Sequence, residues 1–386
     1  MFTIKTLNAI SPVGLAKLNK NLFDVSVDTD APDGILVRSA ILHDMPFGEN
    51  LAAIARAGAG VNNIPVDRCS EAGIVVFNTP GANANGVREL TLCALLLAAR
   101  DVIGGVEWVR GLKAPDVAKQ VEDGKSAFSG SELAGKTLGV IGLGAIGGML
   151  ANSALALGMK VIGCDPFLSV EGAWNLDHRV ARAATFDEIF AESDYITLHV
   201  PATKDTKGMI SAASIAKMRD GVRIINPARA DLVCAEDLKA ALESGKVAKY
   251  VTDFPTDDMM GAKNTVLIPH LGASTEESET NCAVMAVREL DDYLTNGNIR
   301  NSVNYPTVEQ PRTGDARICV LHANIPAVLS GITTALAANG VNIENMTNKS
   351  KGDNAYTVLD ISPKPAETVT AQIRAICGVR RVRVLL

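Results

Sequence analysis

The run Thr137-Leu138-Gly139-Val140-Ile141-Gly142-Leu143-Gly144-Ala145-Ile146-Gly147-Gly148 constrains the fold of this chain more than any other stretch, because it reads as a short apolar strand emptying into a G-x-G-x-x-G turn. Gly142 permits a tight turn, Gly144 lets the backbone approach a pyrophosphate, and Gly147 lets the next helix pack closely on the strand. The N-terminal amides of that helix, at Ala145 and Ile146, then face the anion. Residues 149–157 continue as helix, and 159–164 form a second strand ending on Asp165, about where a ribose-binding acid falls in a dinucleotide fold. A carboxylate there accepts hydrogen bonds from the adenosine ribose hydroxyls and repels a 2′-phosphate, so the expected cofactor is NAD rather than NADP.

A chain of 386 residues with 47% hydrophobic content has room for two or three well-packed domains. Its formal charge of −6, without a block of Lys or Arg, argues against a nucleic-acid or anionic-membrane surface, so any bound phosphate must be held locally. The seven cysteines, at 69, 93, 164, 234, 282, 319 and 377, form neither a CxxC nor a Cys/His cluster at metal-ligand spacing. They read as reduced thiols, and no metal is expected. The start, Met1-Phe2-Thr3-Ile4-Lys5, reads as a strand rather than a secretory signal, and no apolar run reaches membrane-spanning length, so the expected compartment is the cytoplasm.

The first 98 residues alternate short apolar runs, such as 34–37 and 73–77, with segments read as helical, such as 51–57, an α/β pattern in its own right. Residues 89–100, rich in Leu and Ala, predict a long buried helix leading towards the glycine turn, and 276–295 predict the helix by which the chain returns. The expected organisation is therefore a first domain of 1–98 and 285–305, a nucleotide domain of 99–284 inserted into it, a proline-rich linker at 306–314, and a terminal unit at 315–386. That unit reads βαββαβ, and topology alone suits an oligomerisation module as well as a regulatory one. The fold class expected is α/β: two doubly wound parallel-sheet domains of Rossmann type and a ferredoxin-like terminal domain.

A dinucleotide fold specifies a cofactor but not a reaction, so function has to come from groups converging near the nicotinamide. Hydride transfer from an alcohol needs a base for the hydroxyl proton, a cation to hold and polarise the substrate, and a carboxylate to tune the base. Three candidates follow apolar strands late in the nucleotide domain: Arg229, Asp253 and His270. Strand carboxyl ends are where an open α/β sheet binds ligands, and the chain has only five histidines.

The fingerprint with Asp165, the segment Leu198-His199-Val200-Pro201-Ala202-Thr203, the element Asn226-Pro227-Ala228-Arg229 and the element Pro269-His270-Leu271-Gly272-Ala273-Ser274-Thr275 together resemble the D-2-hydroxyacid dehydrogenase family, through essentially the whole chain. Within it, the chain resembles the branch that oxidises 3-phosphoglycerate at the head of serine biosynthesis. The terminal unit resembles an ACT domain, a small effector-binding fold. The rivals are another reductase of the family, acting on hydroxypyruvate or glyoxylate, and a non-catalytic NAD(H)-sensing protein.

The resemblance implies roles at named positions. Arg229 forks its guanidinium onto the substrate carboxylate and C2 oxygen, and His270 is the general base. The family's supporting glutamate, five positions after the strand-end acid, falls on Asp258, a residue shorter by one methylene, and Asp257 stands beside it; either carboxylate remains open as the partner of His270. Asp253 contacts the nicotinamide amide, and Val200, Pro201, Pro227, Ala228, Gly272 and Ala273 complete the cofactor contacts. Arg38 and Arg56 are the candidate phosphate ligands, with Ser39, the amides of Ala57, Gly58, Ala59 and Gly60, and Asn83 around the substrate. His322, Asn324 and Asn342 resemble the serine contacts of an effector site, although Ala327 stands where serine-sensing relatives usually have glycine. The implied partners are 3-phosphoglycerate, L-serine as effector, and further copies of the chain in a homodimer or homotetramer.

Overall fold

The computed structural model describes residues 1–386. It divides into two compact units, Met1–Asn83 with Glu276–Leu386, and Ala84–Thr275.

In the first unit, short runs of buried aliphatic residues form β1 (Phe2–Leu7), β2 (Phe23–Ser26), β3 (Gly34–Val37), β4 (Ala53–Arg56) and β5 (Val75–Phe77), a parallel sheet in the order β2-β1-β3-β4-β5. The stretch 51–57, expected as helix, is β4. Its residues 53–55 are buried, and a parallel strand covered on both faces carries no alternation that would separate it from an alanine-rich helix. The helix Glu276–Asn296 belongs to this unit, burying Ala283, Ala286, Val287 and Leu290 against Ile4, Leu36 and Ala55 of the sheet.

The second unit holds β6 (Thr137–Ile141), β7 (Lys160–Cys164), β8 (Ala181–Arg182), β9 (Tyr195–Leu198), β10 (Val222–Asn226), β11 (Val247–Thr252) and β12 (Thr265–Leu267). All pairs are parallel, in the order β12-β11-β10-β9-β6-β7-β8, which is the doubly wound dinucleotide order with one strand added. The helix Ala84–Ala99 packs here, with Ala94, Leu95, Ala98 and Ala99 against Leu138, Val140, Ile225 and Val251. The compact units therefore part at Asn83/Ala84 and Thr275/Glu276, not at 98/99 and 284/285. An apolar helix does not announce in its sequence which of two sheets it covers.

The C-terminal part of the first unit is an antiparallel sheet of β13 (Ala316–Ala323), β14 (Asn342–Lys351), β15 (Asn354–Ser362) and β16 (Val379–Leu385), in the order β14-β15-β13-β16, with helices Val328–Ala338 and Glu367–Arg374 completing a βαββαβ unit. One set of its residues, including Ile318, Val320 and Leu359, packs with these helices. Another set, Cys319, Tyr356, Val358 and Leu385, joins the core of the first sheet with Tyr293 and Leu294. Between them, 306–314 is pinned rather than free: Val308 bridges to Ile299, and Gln310 donates to Asp360 at 2.8 Å. Asp360 also accepts from buried Arg317, Nε to Oδ1 at 2.7 Å and Nη2 to Oδ2 at 2.9 Å.

No helix is long and apolar enough to cross a membrane, and all seven cysteines are free.

Candidate active site

The glycine turn follows β6. Gly142 has φ +90° and its amide donates to the Cys164 carbonyl at 2.9 Å; a Cβ on it would meet the His199 carbonyl oxygen at 2.6 Å. Gly144 caps the helix Ala145–Ala156, and a Cβ there would meet nothing within 4 Å. A Cβ on Gly147 would lie 2.0 Å from the Gly142 carbonyl oxygen, so only glycine lets the helix approach the strand this closely. Ala145 and Ile146 begin the helix, with their amides at its positive end.

Asp165, at the end of β7, accepts from the Leu143 amide at Oδ2 (2.9 Å) and from the Phe167 amide at Oδ1 (2.8 Å). It stands in a cleft of about 770 Å3 with Leu143, Leu168, Val180, Arg182 and Thr185. The carboxylate thus holds the glycine turn while keeping lone pairs for ribose hydroxyls. A helix start capped by a glycine with open space at its Cβ, and an acid hydrogen-bonded to the Leu143 amide of the same turn, fit a dinucleotide. Half-buried Val200 and exposed Pro201 follow β9. Next to them, burial pushes the His199 imidazole down to about 3, so this ring is neutral across the working pH range; its Nε2 lies 2.9 Å from Thr197 Oγ1.

Asn226, fully buried at the end of β10, shapes the next turn. Its Oδ1 accepts from the amides of Ala228 (3.1 Å) and Arg229 (3.3 Å), and its Nδ2 donates to the Arg229 carbonyl at 2.7 Å. Pro227 and Ala228 are half-buried; Arg229 emerges exposed, with Nη1 donating to the Ala228 carbonyl at 2.6 Å. Asp253, at the end of β11, is only 3% exposed, and its carboxylate accepts two amides at 2.7 Å, Leu271 at Oδ1 and Gly272 at Oδ2. A Cβ on Gly272 would stand 3.0 Å from that Oδ2. Ala273 follows, half-buried.

His270 lies immediately before the clamped amides. It has φ +55°, its amide donates to the Ile268 carbonyl at 3.0 Å, and its ring is exposed. The ring forms no ion pair with Asp257 or Asp258. It lies against Phe254, centroids 4.5 Å apart and planes at 46°. The Arg229 guanidinium carbon is 5.3 Å from the centre of the same phenyl ring. Asp257 and Asp258 are exposed on the short turn Asp257–Met259, and Asp258 lines a second cleft, of about 380 Å3, with Phe254, Tyr250, Ala230 and Asp231. Arg229, Asp253 and His270 are therefore brought together at the carboxyl ends of β10 to β12, with Phe254 as a member that sequence reasoning missed. Its signal was its place directly after the strand-end acid.

In the first unit, Arg38 follows β3 and pairs with Glu279 (Nη2 to Oε1, 2.6 Å), while its carbonyl accepts from Arg56 Nε at 3.0 Å. Ser39 and Ala40 donate their amides to Asn8 Oδ1 at 2.9 and 2.7 Å. Ala57 donates to the Val37 carbonyl at 2.8 Å, the Gly58 carbonyl accepts the Thr79 amide at 3.1 Å, and the Ala59 carbonyl accepts from Asn78 Nδ2 at 2.5 Å. A Cβ on Gly58 would lie 2.6 Å from Arg56 Nη1. Gly60 and Asn83 are half-buried.

In the terminal unit, His322 is 4% exposed and engaged at both nitrogens, Nδ1 with the Ala323 carbonyl and Nε2 with Thr357 Oγ1, each at 2.8 Å. Asn324 and Asn342 are exposed; they donate to the Gly352 carbonyl (3.1 Å) and to Glu344 Oε1 (3.0 Å). Ala327 sits in the left-handed region at φ +71°, a conformation glycine would adopt without strain.

Residues 92–272 match the family described as D-isomer specific 2-hydroxyacid dehydrogenase, NAD binding domain. Over 324 residues the chain is 35% identical to the D-3-phosphoglycerate dehydrogenase of Archaeoglobus fulgidus, covering 78% of this chain and 59% of that protein. It is 40% identical over 270 residues to the hydroxypyruvate reductase of Thermotoga maritima, covering 67% and 83%. With D-3-phosphoglycerate dehydrogenase 1 of Saccharomyces cerevisiae it shares 31% identity, covering 82% and 70%. The solved structure of NAD+-bound 3-phosphoglycerate dehydrogenase from Entamoeba histolytica superposes with TM-score 0.61 at 28% identity, over 78% of this chain and 98% of that one. The chain spans about half to three fifths of the phosphoglycerate dehydrogenases of A. fulgidus, Synechocystis and Bacillus subtilis.

Proposed function

The chain belongs to the D-isomer specific 2-hydroxyacid dehydrogenase family, and from that membership we propose that it oxidises D-3-phosphoglycerate to 3-phosphohydroxypyruvate with NAD, the first step of L-serine biosynthesis. The observation that carries this reading is the placing of a guanidinium and an imidazole, Arg229 and His270, against one phenyl ring beside the Asp253 clamp. Bound NAD supplies the acceptor for the C2 hydride. Gly142, Gly144 and Gly147, the amides of Ala145 and Ile146, and Asp165 would hold it, with Val200, Pro201, Pro227, Ala228, Asp253, Gly272 and Ala273 as its further contacts. Arg229 uses its free guanidinium edge for the substrate carboxylate and C2 oxygen, a planar task for a planar fork. His270 takes the C2 hydroxyl proton at an imidazole nitrogen and returns it in the reverse direction. Asp257 or Asp258 supports the imidazolium so formed.

Arg38 and Arg56 serve the phosphate, and Ser39, the loop of Ala57, Gly58, Ala59 and Gly60, and Asn83 serve the rest of the substrate. The terminal unit acts as an ACT domain that responds to serine through Asn324 and Asn342. Buried His322 is the third residue of that effector site. The protein works in the cytoplasm as a homodimer or homotetramer. Support for self-association comes from the helix Val102–Gly111, which buries none of its residues and exposes Val102, Ile103, Val106 and Val109, an apolar face suited to a second copy.

A reductase of unphosphorylated 2-oxo acids is the second reading, favoured by the Arg38–Glu279 pair, which places a carboxylate on the proposed phosphate ligand. The two part in a spectrophotometric assay of NADH with 3-phosphohydroxypyruvate, hydroxypyruvate and glyoxylate, with and without serine. Preference for the phosphorylated acid supports the first reading, and loss of that preference in Arg38→Gln assigns the phosphate to Arg38. Equal use of all three acids supports the second. Binding of NADH without turnover of any acid would make the chain an NAD(H) sensor.

A further inference from the structure

We propose that Phe254 is a positioning residue for the reaction, its ring setting the orientation of the His270 imidazole and its spacing from the Arg229 guanidinium. The inference rests on the dehydrogenase reading and adds to it a residue beyond the cofactor and substrate contacts assigned above. The backbone of His270 is fixed from both sides: its own amide is bonded to the Ile268 carbonyl at 3.0 Å, and the next two amides are held by the Asp253 carboxylate at 2.7 Å each. That places Cβ but leaves the ring free to rotate about two side-chain torsions. The ring has no ion pair, and it lies on the phenyl group at 4.5 Å between centroids, tilted by 46°. A base that must present one nitrogen to a hydroxyl proton is thus oriented by an aromatic neighbour.

Phe254 is itself well anchored. Its amide donates to Thr252 Oγ1 at 3.1 Å, and that hydroxyl donates to the Asn226 carbonyl at 2.9 Å, so its backbone is tied to the same buried Asn226 that shapes the Arg229 turn. Arg229 stands 5.3 Å from the ring centre. One half-buried phenyl group is therefore in contact with the cation from the end of β10 and the base from beyond β12, and it lies at the end of β11 between them. When the imidazole takes up its proton, the π face offers the new cation a favourable neighbour.

The test compares Phe254→Leu, which keeps apolar bulk without a π face, with Phe254→Tyr, which keeps the ring. Steady-state kinetics in both directions should give a kcat about tenfold lower for the Leu variant with KM for NADH unchanged, and near wild-type kcat for the Tyr variant. The acidic limb of the oxidation profile should move to lower pH in the Leu variant only. The charged groups around the imidazole are otherwise the same: Arg229 on the phenyl ring, Asp253 turned to the Leu271 and Gly272 amides, and Asp257 and Asp258 on the adjoining turn. A second readout needs no turnover. With five histidines in the chain, the His270 ring protons can be assigned in NMR spectra by loss in His270→Gln. They should be shifted upfield by the phenyl ring current in wild type and released in Phe254→Leu. Unshifted ring protons in the wild type, or a Leu variant with lowered thermal stability but unchanged kcat and pH profile, would overturn the proposal. A wild type that shows the ring-current shift yet turns over no 2-hydroxy acid would instead refute the dehydrogenase reading.

Discussion

Asp253→Asn tests the link between the strand-end acid and the base most directly. The carboxylate is 3% exposed and both oxygens accept amides at 2.7 Å, so it is a charged acceptor facing two donors with almost no water to replace them. An asparagine fits the space but carries one acceptor and one donor. Whichever way the amide is turned, one charge-assisted bond worth about 1.5–3 kcal/mol is lost and its backbone N–H faces another N–H. A loosening of the 271–272 backbone by about 3 kcal/mol corresponds to roughly a hundredfold faster opening at 1.4 kcal/mol per decade. Hydrogen exchange on the cofactor-free protein should show the Leu271 and Gly272 amides losing about two decades of protection, and kcat should fall at least tenfold because the imidazole no longer starts from one place. Measuring exchange without cofactor separates this effect from any contact between Asp253 and the carboxamide. Unchanged protection at both amides would refute the clamp, even if kcat fell.

Asp257→Asn and Asp258→Asn, made separately, should differ: the carboxylate that supports His270 should lower kcat and shift the acidic limb of the pH–rate profile, while the other leaves both at the wild-type value. Glu289 is a buried carboxyl pushed up to about 8 by burial, against a hydrogen bond from Asn301 at 2.6 Å that pulls the other way. Its protonated form is favoured by folding, so its stabilising contribution is complete below the ordinary carboxyl range near 4.5 and is lost as pH rises through about 8. Denaturant melts between pH 5 and 8 should show stability falling by up to about 1.4 kcal/mol per pH unit from this group, and Glu289→Gln should flatten that slope. An equal slope in the variant would show the carboxyl already ionised. Breaking the fully buried Arg317–Asp360 pair by Arg317→Met should cost about 3–5 kcal/mol in the same melts, whereas the double change Arg317→Met with Asp360→Leu should recover most of it.

What could be read in the sequence and what could not divide along a physical line. The glycine turn was legible because two of its glycines answer backbone demands that only glycine meets, at Gly142 a positive φ and at Gly147 a carbonyl 2.0 Å from any Cβ. Asp165, Arg229, Asp253 and His270 were legible as strand-end residues, since an apolar run followed by a polar residue marks the carboxyl edge of a parallel sheet. The strand Ala53–Arg56 was misread because burial on both faces erases the period-two signal that distinguishes strand from helix. Left-handed backbone at His270 had no cue, the residue being neither glycine nor asparagine, whereas at Ala327 the glycine usual in serine-sensing relatives pointed to it. Side-chain partnering was least legible of all. The motif gave the position of His322 but no sign that its Nε2 would meet Thr357 on the paired strand β15. Counting from Asp253 named Asp257 and Asp258, yet spacing along a chain gives position and not direction. Asp258 lines a cleft with Tyr250, Ala230 and Phe254, and Phe254, adjacent in sequence to the acid that the count began from, also lies against the imidazole. A base can be oriented by whichever neighbour the sheet brings to it, so the identity of that neighbour belongs to strand order, here β10, β11 and β12 side by side, and not to any motif.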